Sequence, residues 1–247
     1  ETVGRRADYV LTNAGRHRFE EASRHIYASH APLWDRRWRL ILAVGEIEAK
    51  AREQLRDALF WQGFGVLGND CFVHPSADLS GVFDALVTDG LGDQLSKLMP
   101  LLAADSRSGM AASDADLVNR AWNLEALASA YADFVATYQP ILNELRFEHQ
   151  ADTNLESAFQ LRTLLIHDYR RLLLRDPELP EVLLPQEWPG QKARLLCKEI
   201  YRRLAVPSEK YLDQTLQLAN GSMPEADALL GERFPVDDPL ADLLRST

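Results

Sequence analysis

The sequence predicts an α+β protein, on three observations. Residues 38–110 alternate short β-prone runs with amphipathic helical ones in the order βαββαβ, the split ferredoxin-like arrangement. From 111 to 247 apolar residues recur at helical spacing, so this part reads as all-α. Ahead of both, residues 1–37 read as a short arm, a capped helix and a linker. With 46% hydrophobic and 26% charged residues among 247, the composition is that of a folded protein. No apolar run reaches the roughly 20 residues that span a bilayer.

Each element has its own reason. Residues 2–11 form a hairpin arm, with Gly4-Arg5-Arg6 as its turn and Asp8–Leu11 as a strand. Thr12 is a good N-cap for a helix to about Tyr27. Pro32 and Asp35-Arg36-Arg37 mark a linker. A strand at Trp38–Val44 and a helix at Ala49–Gln62 follow, then strands at Val66–Leu67 and Cys71–His74 joined by a turn at Gly68-Asn69-Asp70. A helix at Leu79–Thr88 leads to a strand at Lys97–Ala103, which Pro100 assigns to a sheet edge.

Beyond it, Leu117, Ala121, Leu124, Ala128, Tyr131, Val135 and Tyr138 recur every three or four residues as one helix, ended by Pro140. Leu155–Leu174 is a second long helix. A proline-rich connection then runs from Asp176 to Gly190, ahead of helices at Gln191–Leu204 and Ser208–Ala219. Gly221 onward, acidic and proline-containing, reads as a loose tail.

Catalytic signatures are missing. Cys71 and Cys197 stand in no CxxC or metal-binding spacing and read as free thiols of a cytoplasmic protein. The six histidines form no HExxH pair, and neither a GxSxG elbow nor a phosphate-binding loop occurs. Gly63-Phe64-Gly65-Val66-Leu67-Gly68 spells GxGxxG, but a helix precedes it and a strand follows, the reverse of a dinucleotide site. These glycines are expected to end a helix and turn a hairpin. Glu46 and Glu48 after the first strand read as solvated carboxylates. No catalytic residue, metal ligand or cofactor is therefore expected.

Charge separates the ends of the chain. The net charge is −10, yet residues 1–39 carry eight arginines against five acids. A basic end on an acidic body suggests that the N-terminal part meets an anion. The chain opens on Glu1, read as a processed end or as the first ordered residue of a longer protein. In the helix at 155–174, Arg162 interrupts the stripe Leu155, Phe159, Ile166, Tyr169, Leu173, where it either pairs with an acid or awaits an anionic ligand.

Four segments resemble the PaaX repressor family. They are Gly4-Arg5-Arg6-x-x-Tyr9-x-Leu11-Thr12-x-x-Gly15-Arg16; Trp34-Asp35-x-x-Trp38-Arg39-Leu40 with Gly63-Phe64-Gly65-x-Leu67 and Phe72-Val73-x-Pro75; Ala121-Trp122-x-Leu124-x-x-Leu127-x-x-x-Tyr131-x-x-Phe134; and Leu165-Ile166-His167-x-Tyr169-Arg170-Arg171, continuing through Arg175-Asp176-Pro177 to Trp188-Pro189-Gly190. The resemblance implies the end of a winged-helix domain over 1–37, a Cas2-like middle domain over 38–110 and a helical domain over 111–247 with its acidic tail. It also implies a homodimeric repressor of phenylacetate catabolism, released from double-stranded operator DNA by phenylacetyl-CoA.

On this reading Arg5, Arg6, Arg16 and Arg18 meet DNA phosphates. A CoA thioester needs cations beside an aromatic-lined pocket, and Arg162, His167, Tyr169, Arg170, Arg171, Arg175 and Trp188 are the expected effector residues. The sequence departs from the family where many members carry a D-x-P-E-like turn: here Val44-Gly45-Glu46-Ile47-Glu48 lacks the strand-end acid of a Cas2 nuclease. A metal-dependent nuclease is therefore the weaker alternative, beside a dimerisation or adaptor module without ligand.

Overall fold

The computed structural model describes residues 12, 26–27, 34–104, 112–147, 154–217 and 233–234. The expected arm, most of the first helix, Arg5, Arg6, Arg16, Arg18 and nearly all of the tail lie outside them. The chain divides into two compact units, one made of Glu1–Ser29 with Asp227–Thr247 and the other of His30–Ala226. In the first unit Ile26 and Tyr27 are helical. Phe234 is buried, its ring edge-on to Tyr27 at 5.1 Å, and the Arg233 guanidinium lies over the same tyrosine.

In the second unit β1 (Arg37–Ala43), α1 (Ala49–Trp61), β2 (Gly65–Val66), β3 (Cys71–His74), α2 (Leu79–Thr88) and β4 (Leu98–Ala104) form the expected βαββαβ unit. The sheet order is β2-β3-β1-β4, with every neighbour antiparallel. Pro100 lies in edge strand β4, opposite Ile41, where a missing N–H need not interrupt the sheet. The GxGxxG stretch caps and turns as expected. The Phe64 and Gly63 amides donate to the carbonyls of Leu59 and Phe60, closing α1 in a Schellman motif with Gly63 at φ 79°.

Strand alternation sends β1 side chains to two cores. Ile41, with Phe72, packs under α1 and α2 against Leu55, Leu59, Val82 and Leu86. Trp38, with Val73, packs on the opposite face against Val118, Leu124, Leu179 and Leu183. Both faces of this antiparallel sheet are thus covered within the chain.

The described regular elements after β4 are all helical: α3 (Asp114–Ala121), α4 (Leu124–Phe147), α5 (Leu155–Leu173), a 3-10 turn (Glu181–Leu183) and α6 (Pro189–Thr215). Three boundaries differ from expectation. The run predicted as one helix to Pro140 is two. A capping box between Ser113 and Asp116 starts α3, Trp122 is extended at φ −129°, and the Asn123 carboxamide accepts the Ala126 N–H to start α4. Helix α4 then passes through Pro140, because buried Leu142 beyond it anchors the next turn. Helix α6 likewise passes through Pro207 where two helices were expected. Its second half is held to α5 by stacking of Phe159 on Tyr211 and by an Arg162–Glu209 ion pair. A proline forfeits one helical hydrogen bond, and here tertiary packing outweighs that loss.

Candidate functional site

Helix α5 carries five of the seven expected effector residues and starts where the Asn154 side chain accepts the Ser157 N–H. Its buried face runs through Ala158, Leu165, Tyr169 and Leu172; of the expected stripe Leu155, Phe159, Ile166, Tyr169 and Leu173 only Tyr169 lies on it, the others being half-buried beside it. Arg162 sits at the border of that face with its side chain 11% exposed. Its guanidinium is 2.5 Å from Glu209 and lies over the Tyr201 ring, so it pairs with an acid. Tyr169 is buried. His167, Arg170, Arg171 and Arg175 are exposed, and His167 and Arg171, four apart, share a side of the helix.

Tyr169 and Trp188 belong to a polar knot that sequence spacing did not reveal. The Tyr131 hydroxyl donates to Asp176 Oδ2 at 2.5 Å, and Asp176 Oδ1 accepts the Glu178 N–H at 2.8 Å. The Trp188 ring stands edge-on to Tyr131 at 6.0 Å. Arg194, on α6, donates to the Tyr169 hydroxyl. Burial raises the Asp176 pKa, while the Tyr131 hydrogen bond works against that rise. For Arg194 burial opposes the charge, but the fields of Tyr169 and Glu178 more than offset it. The knot fixes the strap between α5 and α6, which bends through two non-glycine residues at positive φ, Glu178 (50°) and Glu187 (63°).

The strap is also tied to the sheet. His74 is buried at the end of β3; its Nδ1 accepts the Ser76 and Ala77 amides at 3.0 and 2.7 Å, and its other nitrogen donates to the Pro177 carbonyl. Burial, helped by the charge of Arg39, lowers its pKa to about 4, so it is neutral at physiological pH. Trp122 adds a second tie, its indole N–H donating to the Gly63 carbonyl at 3.1 Å. Gly65 lies under the same ring, where a Cβ would come within 2.6 Å of the indole.

The unit also holds a cleft of about 370 Å³. It is lined by Trp34 and Arg36, by Asp114, Ala115 and Asn119 of α3, and by strap residues Val182–Pro185. None of the seven expected effector residues lines it. Among the described residues no group of three or more histidines, cysteines or carboxylates is placed to hold a metal ion, and no helix is long and apolar enough to cross a membrane.

Comparison with known proteins accounts for this architecture. Residues 31–100 match the PaaX protein central Cas2-like domain, and residues 122–214 match the PaaX-like protein C-terminal domain. Over 235 residues the chain is 32% identical to the transcriptional repressor PaaX of Escherichia coli (strain K12), spanning 94% of this chain and 72% of that one. Among solved structures, the uncharacterized protein Rv0674 from Mycobacterium tuberculosis is similar in fold, with a TM-score of 0.52 at 21% identity over 81% of this chain and 73% of its own. The strap and its knot, from Tyr131 through Asp176 to Arg194, fall wholly within the matched C-terminal domain, and strands β1, β2 and β3 within the matched central one, which ends inside β4. The chain belongs to the PaaX family of transcriptional repressors.

Proposed function

We propose that this chain is the greater part of a DNA-binding transcriptional repressor of aromatic-acid catabolism, which leaves its operator on binding an aryl-acyl-CoA such as phenylacetyl-CoA. The observation that carries the reading is the 32% identity to a transcriptional repressor along 94% of the chain. The working unit is a homodimer, matching a two-fold operator. Arg5, Arg6, Arg16 and Arg18 contact DNA phosphates. His167, Arg170, Arg171 and Arg175, exposed along α5 and just beyond it, are offered to the phosphates of the CoA. Arg162, Tyr169 and Trp188, already engaged by Glu209, Arg194 and Tyr131, help to hold the elements that carry that surface.

The DNA half of this reading is tested by anisotropy on the promoter fragment of the protein's own transcription unit, using the full-length protein across a salt series. Arg5→Ala with Arg6→Ala weakens binding and lowers the salt slope by about 2, one phosphate contact for each arginine. An unchanged slope removes these arginines from the DNA contact. A full-length protein that ignores its promoter removes the repressor reading.

A further inference from the structure

We propose that the cleft between Trp34, helix α3 and the strap residues Val182–Pro185 is the seat of the acyl end of the effector, taking an aryl-acyl group whose carbonyl oxygen faces Arg36. This deepens the proposed function and rests on it, but the chemistry follows from the lining. The cleft, about 370 Å³, is near the lower end of small-molecule sites, which run from roughly 300 to 1,000 Å³. That is room for a ring and its short acyl arm, with the rest of a CoA outside.

The aromatic wall is pre-organised. The Trp34 indole donates to the Arg37 carbonyl and stands edge-on to Trp38 at 5.3 Å, and Trp38 in turn donates to Asp114 Oδ1 at 2.9 Å. The lining residues Val182, Leu184 and Pro185 are apolar, with Val182 76% exposed while its neighbour Leu183 is buried in the second core. A flat apolar ring in a cleft lined by an indole and aliphatic side chains buries surface without leaving a polar group unsatisfied.

Arg36 is the cation of the lining and Asp114 its acid. Asp35, the nearest acid in sequence, is bound by Arg39 through both oxygens, at 2.6 and 2.9 Å. Arg36 has no ion-pair partner among the described residues and is held at φ 60°, a conformation rare outside glycine. An oxygen-bearing acyl group supplies an acceptor for this guanidinium, and the Asn119 amide adds a further donor to the lining. Asp114 turns away free anions of high charge, which favours a neutral thioester or amide carbonyl over a phosphate. The cleft takes in Trp34 and Arg36, which lead directly into β1.

The test uses the full-length protein, with phenylacetyl-CoA, free phenylacetate and unacylated CoA as probes in calorimetry. Ala115→Trp fills the cleft from an exposed helix position, and Arg36→Gly removes the guanidinium while relieving the positive φ. Unchanged promoter affinity without ligand shows that each variant is folded. Both variants are expected to weaken phenylacetyl-CoA at least about tenfold and to leave binding of unacylated CoA unchanged. If phenylacetate binds as tightly as the thioester and loses affinity in the same variants, the cleft takes the free acid. If both variants bind phenylacetyl-CoA as the wild type does and still release DNA, the cleft assignment is wrong while the repressor reading stands. If the wild type holds its promoter but binds no aryl-acyl compound, the effector and the cleft assignment both fall.

Discussion

Tyr131 and Asp176 lie 45 positions apart, yet the phenol of one donates directly to the carboxylate of the other at 2.5 Å. That bond closes the strap over α4. Tyr131→Phe keeps the packing and leaves the shielded carboxylate short of a donor, so it should cost about 1–3 kcal/mol in urea unfolding at pH 7.5. Burial already raises the Asp176 pKa, and its contribution to stability is lost as pH rises through that raised value. Losing the Tyr131 donor raises the pKa further, so the cost of Tyr131→Phe should shrink as pH falls and protonation relieves the carboxylate. A cost that does not vary with pH would mean that Asp176 is not the partner that matters.

His74 gives stability an acid limit. Its folded pKa of about 4 lies below the ordinary 6.5 because the ring is buried. Below pH 6.5 the unfolded chain takes up a proton that the folded one refuses, so this contribution is full above pH 6.5 and fades as pH falls towards 4, by about 3 kcal/mol in all. His74→Asn can still accept the Ser76 and Ala77 amides through its oxygen. The stability difference between pH 7 and pH 4.5 should shrink by about 2 kcal/mol in that variant, as measured by chemical denaturation at the two pH values. An undiminished difference would assign the acid sensitivity elsewhere.

The Arg162–Glu209 pair is mostly buried, with side chains 11% and 25% exposed. Removing one partner strands the other. Arg162→Ala is therefore expected to lower stability by about 1–3 kcal/mol, below the cost for a fully buried pair because Glu209 keeps some water. The double variant with Glu209→Ala should lose less than the sum of the singles. Additive losses would show that the pair is not coupled.

Two neighbouring glycines separate crowding from backbone effects. Gly65→Ala drives a Cβ to within 2.6 Å of the Trp122 ring, at the seam between sheet and helices, and should cost about 1–3 kcal/mol by overpacking. Gly68 has open space around it but sits at φ 73°, so Gly68→Ala should cost about 1 kcal/mol from backbone strain alone. Thermal unfolding of both ranks them, and a harmless Gly65→Ala would contradict the close seam.

The middle domain was legible because local rules decide it. Alternation, the Gly68-Asn69-Asp70 turn and Pro100 at an edge all act over a few residues, and each strand lies within a residue or two of its expected place. The helices were legible in type but not in extent. Asn123 as a cap is hidden inside a heptad-like run; Pro140 is expected to end a helix and two helices are expected on either side of Pro207, although packing carries both helices past these prolines. The site was legible only in part. Arg162 stood out as a charge in an apolar stripe, but nothing local announces Glu209 as its partner, nor Asp176 as the acceptor for Tyr131. Asp176 and Arg194 were missed because their function is in pairs that only the fold brings together.

The proposed function stands on control of DNA binding by an aryl-acyl-CoA. The most direct measurement is anisotropy of the full-length protein on its labelled promoter fragment, titrated with phenylacetyl-CoA at fixed salt, with unacylated CoA as control. The expected result is saturable release by phenylacetyl-CoA alone; passing from 99% bound to 99% free requires the two protein states to differ about 10⁴-fold in ligand affinity. A protein that binds the fragment tightly and stays bound at saturating phenylacetyl-CoA contradicts the account.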